Sequence, residues 1–380
     1  MRPNILLVLA SSLLVGGAAP AAAKDAIKVG ALLAVTGPAS FLGAPEARTL
    51  EMLVADLNAQ GGVDGHKIEL IVKDTGGSPE KAISFARQLV EEHQVLAIIG
   101  PSTSGESIAV KTIAQEAKTI LLSCAAAEVI TTPMAPYVFK VAPKDSHAAD
   151  VIFRRMKKMG ISRVGVLTSN TGFGKAGKEQ LEKLAPEHGI QIVVNEVYDK
   201  AATDLTAEAT KLKAAKVQAV VNWSIEPAQA IVIKNVRQIG LDVPIFQSHG
   251  FANVQYAKAA GVAAEGVMFP ASRIVVADAL PATDRQKPVV AAYKRAYESR
   301  FNEDVSTFGG HAHDALAVLA KGIREGGSDR EKVRAAIEGT RGLVGTAGVF
   351  NFSAADHNGL GADAFEMLVV KNGKFAVVGN

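Results

Sequence analysis

Cysteine is nearly absent. Cys124 stands alone in 380 residues, so the chain cannot close a disulfide on itself. It follows an apolar stretch and reads as a small buried hydrophobe rather than a nucleophile. Aromatics are scarce at 5%, with one tryptophan, Trp223. No basic run interleaves with aromatic residues, which argues against a nucleic-acid platform. Neither sign of charge dominates: the formal net charge is +3, and Arg2 supplies part of it. Beyond the first 23 residues there is no run of about 18 apolar residues, the length a membrane span needs. Also missing are GxSxG, HExxH and a Cys–His pair, so neither a nucleophile–base pair nor a metallohydrolase motif is legible.

What is present begins with a leader. Arg2 gives a positive start, Ile5 to Val15 an apolar core, and Ala21-Ala22-Ala23 a small-residue cleavage site. The expectation is a signal peptide over 1–23, cleavage near Ala23 and a mature protein in the periplasm. No cysteine lies near that site to carry a lipid.

The apolar content of 48% over 380 residues suits two lobes better than one core. The stretch Ala97-Ile98-Ile99-Gly100-Pro101-Ser102-Thr103-Ser104-Gly105 organises the first of them. It reads as a buried parallel strand, a turn, and a helix start rich in hydroxyls. Free N–H groups and partial positive charge at a helix N-terminus suit an anion, while a capped turn without ligand is the plainer alternative.

In chain order, strands are predicted at 27–35, 68–73, 95–99, 119–123 and 137–141, with amphipathic helices between. This βαβ alternation predicts a doubly wound parallel α/β sheet, whose ligands sit outside the carboxyl ends of the strands. The turns 36–43, 101–107 and 124–127 all fall at that end. From 147 the pattern restarts, with strands at 163–167, 190–197, 217–222 and 243–246. Helices follow near 287–301, 308–325 and 330–339, then strands at 348–352, 365–370 and 374–378. The predicted division is lobe 1 over 24–141 plus 270–342, and lobe 2 over 142–269 plus 343–380.

Several spaced motifs carry a resemblance. They are Thr36-Gly37-Pro38, Asn58-Ala59-Gln60-Gly61-Gly62-Val63-Asp64-Gly65, the Ile99 to Gly105 turn, Tyr137-Val138-Phe139-Lys140, Gly172-Phe173-Gly174, and Gly261 to Gly266. Together they resemble the branched-chain amino-acid-type, or type I periplasmic, substrate-binding proteins of ABC transporters. The resemblance covers the whole mature chain. It implies two Rossmann-like lobes joined by three crossovers, a ligand in the interlobe cleft, closure around it, and a membrane permease as partner.

The family's amino-acid binders hold the carboxylate with a serine and a threonine, and the ammonium with an acid. By motif the serine falls on Ser104, the threonine on Ala127 and the acid on His249. Positions often tyrosine fall on Phe173 and Ile225. The stretches His249 to Asn253 and Thr307 to Ala315 look more like a variant that binds aromatic and other non-amino acids. The candidate ligand-binding residues are therefore Ser102, Thr103, Ser104, Ala125, Ala127, Phe41, Leu42, Phe173, Trp223, Ile225, His249 and Phe251. The expected ligand is a small organic acid; the alternatives are an aliphatic amino acid or a sensor of the same fold. A monomer without turnover is expected.

Two rival motifs are weak. Gly172-Phe173-Gly174-Lys175-Ala176-Gly177 is formally GxGxxG, but several turn residues separate the strand from Gly172, where a dinucleotide turn is tight. No cofactor is expected. His311 and His313 are two apart, so on a helix they point to different faces, and no further ligands at metal spacing accompany them. No metal is expected, although His311 remains a candidate for the cleft.

Overall fold

The computed structural model describes residues 24–379; the expected signal peptide lies outside the described residues. Lobe 1 opens with β1 (Lys24–Leu33), α1 (Ser40–Ala59), β2 (His66–Asp74), α2 (Pro79–Arg87), β3 (Ala97–Ile99), α3 (Ser104–Glu116), β4 (Ile120–Ser123) and β5 (Val138–Lys140). The strands form a five-stranded sheet in the order β2-β1-β3-β4-β5, parallel throughout. β3, β4 and β5 are buried along their whole length, as both faces carry helices.

Local chemistry explains where the helices begin. Ser78 accepts the Lys81 N–H at 3.3 Å, and Pro79 occupies the first helical position of α2, where its missing N–H costs nothing. Thr103 and Glu106 form a capping box at α3.

Lobe 2 contains α4 (Asp145–Lys158), β6 (Arg163–Ser169), α5 (Gly172–Leu184), β7 (Gln191–Tyr198), α6 (Thr206–Ala214), β8 (Ala219–Trp223), α7 (Ala228–Gln238), β9 (Ile245–Gln247), α8 (Val254–Ala260) and β10 (Met268–Ala271). The chain then returns to lobe 1 as α9 (Lys287–Phe301), α10 (Thr307–Gly326) and α11 (Arg330–Glu338). Here α10 packs between α1 and α11. A short hairpin follows, β11 (Leu343–Val344) with β12 (Val349–Phe350). Finally β13 (Glu366–Lys371) and β14 (Lys374–Val377) complete a seven-stranded sheet, ordered β14-β13-β10-β9-β8-β6-β7. The last two strands run antiparallel.

Two boundaries differ from the sequence reading. The return to lobe 1 expected at 270 falls inside β10, whose Pro270 and Ala271 still pair with β13. The final crossing comes after the expected position 343, because Phe350, Phe352, Leu360 and Ala364 pack with Phe139 in the lobe 1 core. Phe365 is the first residue of that stretch to join the lobe 2 core. The strand expected at 348–352 shrinks to Val349–Phe350, since its pairing partner is only the two-residue β11. The sequence reading also missed α8 and β10. No helix among the described residues is long and apolar enough to cross a membrane.

Candidate binding site

The carboxyl ends of both sheets face each other across a cleft. Its mouth, about 540 Å³, is lined from lobe 1 by Pro38, Gly76, Thr103 and Gly105, and from lobe 2 by Asn170, Phe173, Ile225 and Glu226. Below it lies a floor cavity of about 20 Å³, room for about one water. The lobes are shut. A Cβ placed on Gly172 would lie 2.7 Å from the Gly105 Cα. Asn253 Nδ2 donates to the Phe41 carbonyl at 3.0 Å, and the Phe41 ring meets Tyr256 edge-on at 4.9 Å. A ligand enters this floor only when the lobes part and the side chains around it make room.

Lobe 1 supplies Leu42, Ser102, Ser104, Cys124, Ala125, Phe308 and His311 to the floor; lobe 2 supplies Phe173, Ile225 and His249. Ser104 opens α3, and its hydroxyl oxygen accepts the Ala127 N–H at 3.2 Å. The Ser104 proton is therefore left to donate into the cleft. Ser102 also lines the floor, but its hydroxyl accepts the Ala34 N–H at 3.0 Å and donates to Glu46. Burial pushes the Glu46 carboxyl well above its ordinary value. Thr103 lies at the mouth, with its hydroxyl donating to Glu106 Oε2 at 2.6 Å.

Other sequence-predicted residues lie outside the cavity wall. The Ala127 side chain packs in the apolar core beneath α3. Phe41 joins the lobes rather than lining the floor. Trp223 is fully buried one layer back, 5.8 Å from the Phe173 ring and 5.6 Å from the His249 ring. Phe251 is core, packed edge-on against Phe269 at 5.1 Å. Each is a large or apolar side chain near a strand end, and sequence gives no depth within that layer.

The electrostatics centre on His249. Its Nε2 lies 3.5 Å from Asp145 Oδ1, beyond a good hydrogen bond. Burial lowers His249 to about 3 and His311 to about 4, so both imidazoles are neutral near pH 7. Lys140 is fully buried, donating from Nζ to the Ala126 carbonyl at 2.6 Å. Burial pulls its amine down and pushes Asp145 up, and each partly offsets the other by opposite charge. Asp145 stands behind His249 rather than in the floor lining. Glu226 lies at the mouth, and its Oε2 already accepts the Ser224 hydroxyl at 2.7 Å and the Ile225 N–H at 3.2 Å.

The sequence matches the family described as periplasmic binding protein over residues 26–374. The chain belongs to that family. This binding protein is 26% identical over 335 residues to a leucine-, isoleucine-, valine-, threonine- and alanine-binding protein of Pseudomonas aeruginosa, covering 87% of each chain. Its fold matches an extracellular ligand-binding receptor from Rhodopseudomonas palustris HaA2 with a TM-score of 0.88 at 27% identity, covering 93% of this chain and 100% of that one. It also shares its fold with a solute-binding protein of an ABC transporter from Rhodopseudomonas palustris BisB5, solved in complex with 3,4-dihydroxybenzoic acid. That match has a TM-score of 0.80 at 20% identity and covers 93% and 96% of the two chains. The two-lobed type I architecture expected from the sequence is the one observed. By family and fold this is a periplasmic solute-binding protein of the branched-chain amino-acid type.

The glycines of the formal GxGxxG serve packing in this binding protein. Gly172 lets the lobes touch, Gly174 would place a Cβ 2.0 Å from the Ser169 carbonyl, and Gly177 would drive one 2.1 Å from Trp223 Nε1. His313 turns to Asp314, 2.9 Å away, while His311 faces the floor. Among the described residues no three His, Cys, Asp or Glu side chains lie close enough to hold a metal. Sequence reasoning did not identify Phe308, Asp145 or Lys140 with the site. The positions 307–315 carried a signal, since a helix start after a turn brings its first residues to a sheet end.

Proposed function

We propose that this periplasmic protein captures a small carboxylic acid lacking an α-amino group, aromatic by preference, and presents it to the membrane permease of an ABC importer. It acts as a monomer and turns nothing over. The observation that carries this reading is the set of polar side chains at the cavity floor: the free Ser104 hydroxyl, the engaged Ser102 hydroxyl and two neutral imidazoles, with no carboxylate in the lining. An ammonium needs an acceptor charge, and the acids around the floor are otherwise placed. Glu46 lies behind Ser102, from which it accepts a hydrogen bond. Asp145 stands behind His249, and Glu226 is engaged at the mouth. Ser104 and the opening of α3 suit the ligand carboxylate. Leu42, Phe173, Ile225 and Phe308 give an apolar wall on which a ring gains burial. A protein of this fold has been solved with an aromatic acid, so the architecture accommodates one.

A second reading, capture of an aliphatic amino acid, is favoured by the function named for the Pseudomonas relative. It is also favoured by Asp145, whose two carboxylate oxygens are buried without a partner. A thermal-shift screen of the mature protein against aromatic acids, aliphatic acids and amino acids separates the two. A ligand at 100 times its Kd adds about 2.7 kcal/mol. Stabilisation by benzoate-type acids with leucine and valine silent supports the first reading, and the reverse pattern overturns it. A sensory role for the same protein is tested by deleting its gene and following uptake of labelled ligand, which falls only if the protein serves transport.

A further inference from the structure

His249 and His311 come from different lobes, one after β9 and one in the first turns of α10, and both line the same floor cavity. They are 7% and 4% exposed. All four of their ring nitrogens are buried without a hydrogen-bond partner. Around them the wall is apolar: Phe173, at 5.3 Å between ring centres from His249, and Phe308, at 6.1 Å from His311. His249 Nε2 approaches Asp145 Oδ1 at 3.5 Å, and His311 lies against the Cys124 backbone. Buried polar atoms in such surroundings are costly unless a partner satisfies them.

We propose that His249 and His311 form a cross-lobe clamp for a ligand hydroxyl at the end remote from the carboxylate. This rests on the reading that the cleft holds a non-amino carboxylic acid at Ser104. A neutral imidazole presents one donor and one acceptor. A hydroxyl accepts from one ring and donates to the other, so it satisfies both lobes with a single oxygen. An ammonium only donates, a carboxylate only accepts, and a methyl or bare ring edge does neither. The selected class is therefore hydroxylated acids, most directly hydroxybenzoates. Because the two rings sit on opposite lobes, the bridge forms only as the lobes approach, which couples recognition to closure. Rejection of the unsubstituted acid follows from leaving the imidazoles unpaired, which discriminates more strongly than a lost apolar contact.

The test is calorimetry on the full mature protein with benzoate, 3- and 4-hydroxybenzoate, 4-methoxybenzoate and leucine. At least one hydroxybenzoate is expected to bind about tenfold or more tighter than benzoate. The methoxy acid, which accepts but cannot donate, should lose most of that gain. In His249→Phe and His311→Phe the ratio of hydroxybenzoate affinity to benzoate affinity should fall toward unity, whatever each variant does to benzoate binding itself. The wild-type ligand series stands without the variants should either fail to fold. If benzoate binds and no hydroxybenzoate binds tighter, or if folded variants keep the full preference, the clamp is refuted while the acid-binding reading survives. If leucine binds and no acid does, that reading falls and the clamp with it.

Discussion

The Ala127 backbone N–H donates to the Ser104 hydroxyl oxygen at 3.2 Å, joining the turn after β4 to the first residue of α3. That bond turns the serine so that its own proton is available for a ligand. Replacing Ser104 with alanine removes two things at once. Acid binding is expected to weaken by about 1.5–3 kcal/mol, the range for a hydrogen bond to a charged group. The stranded Ala127 donor costs the ligand-free fold about 1–3 kcal/mol. Calorimetry and urea denaturation of Ser104→Ala read the two separately; unchanged affinity would place the carboxylate anchor elsewhere.

Gly177 lies under the indole of Trp223, and a Cβ there would come within 2.1 Å of Nε1. Trp223 in turn backs Phe173 and His249. Gly177→Ala is expected to destabilise lobe 2 by about 1–3 kcal/mol through overpacking and to weaken ligand binding by shifting that aromatic layer. A variant of wild-type stability and affinity in thermal melts and calorimetry would show that the indole yields freely.

Protonation should oppose the fold through the cleft histidines. Burial lowers His249 to about 3 and His311 to about 4, against an ordinary 6.5. The unfolded chain therefore binds more protons between those values and pH 6.5. The contribution of the pair is complete above pH 6.5 and is lost as pH falls toward 4 and then 3. His249 faces Asp145, His311 and Lys140; His311 faces Asp314, Lys140 and Cys124. Asp145, raised by burial, works in the opposite direction, so total stability blurs the effect. The difference between wild type and His249→Phe isolates it: acidification from pH 7 to 5 should cost the wild type more. Imidazole carbon-bound protons of both residues should also hold their chemical shifts over that range in NMR spectra. Titration near pH 6.5 would mean that the rings are hydrated.

Phe251 and Phe173 should behave oppositely although both lie near strand ends of lobe 2. Phe251 packs on Phe269 and Tyr256 away from the cavity, so Phe251→Ala should cost about 3–5 kcal/mol of stability with little change in the Kd of the folded protein. Phe173 lines both mouth and floor, so Phe173→Ala should weaken ligand binding markedly. Denaturant melts paired with calorimetry decide; comparable affinity losses in both would put Phe251 in contact with ligand.

By itself the sequence determined the alternation of strands and helices, because apolar period and turn residues are local. Ser78-Pro79, the Thr103 to Glu106 cap and the Ile27 to Val35 run announce their elements without help from distant chain. It also determined that the turns 36–43, 101–107 and 124–127 reach the carboxyl ends of the strands, while Phe173, Ile225 and His249 were drawn toward the cleft by the family resemblance. Depth was decided only by tertiary structure. Trp223, Phe251 and Ala127 lie in or beside the same strand ends and turns, yet they stand outside the floor lining, since a residue's direction there depends on what the opposite layer leaves open. The final crossing was also decided there, as Phe350 and Phe352 reach Phe139 across more than two hundred residues. The meeting of His249 with His311 belongs to the same class: no local pattern links β9 to α10, and only the closing of two lobes brings their imidazoles to one cavity.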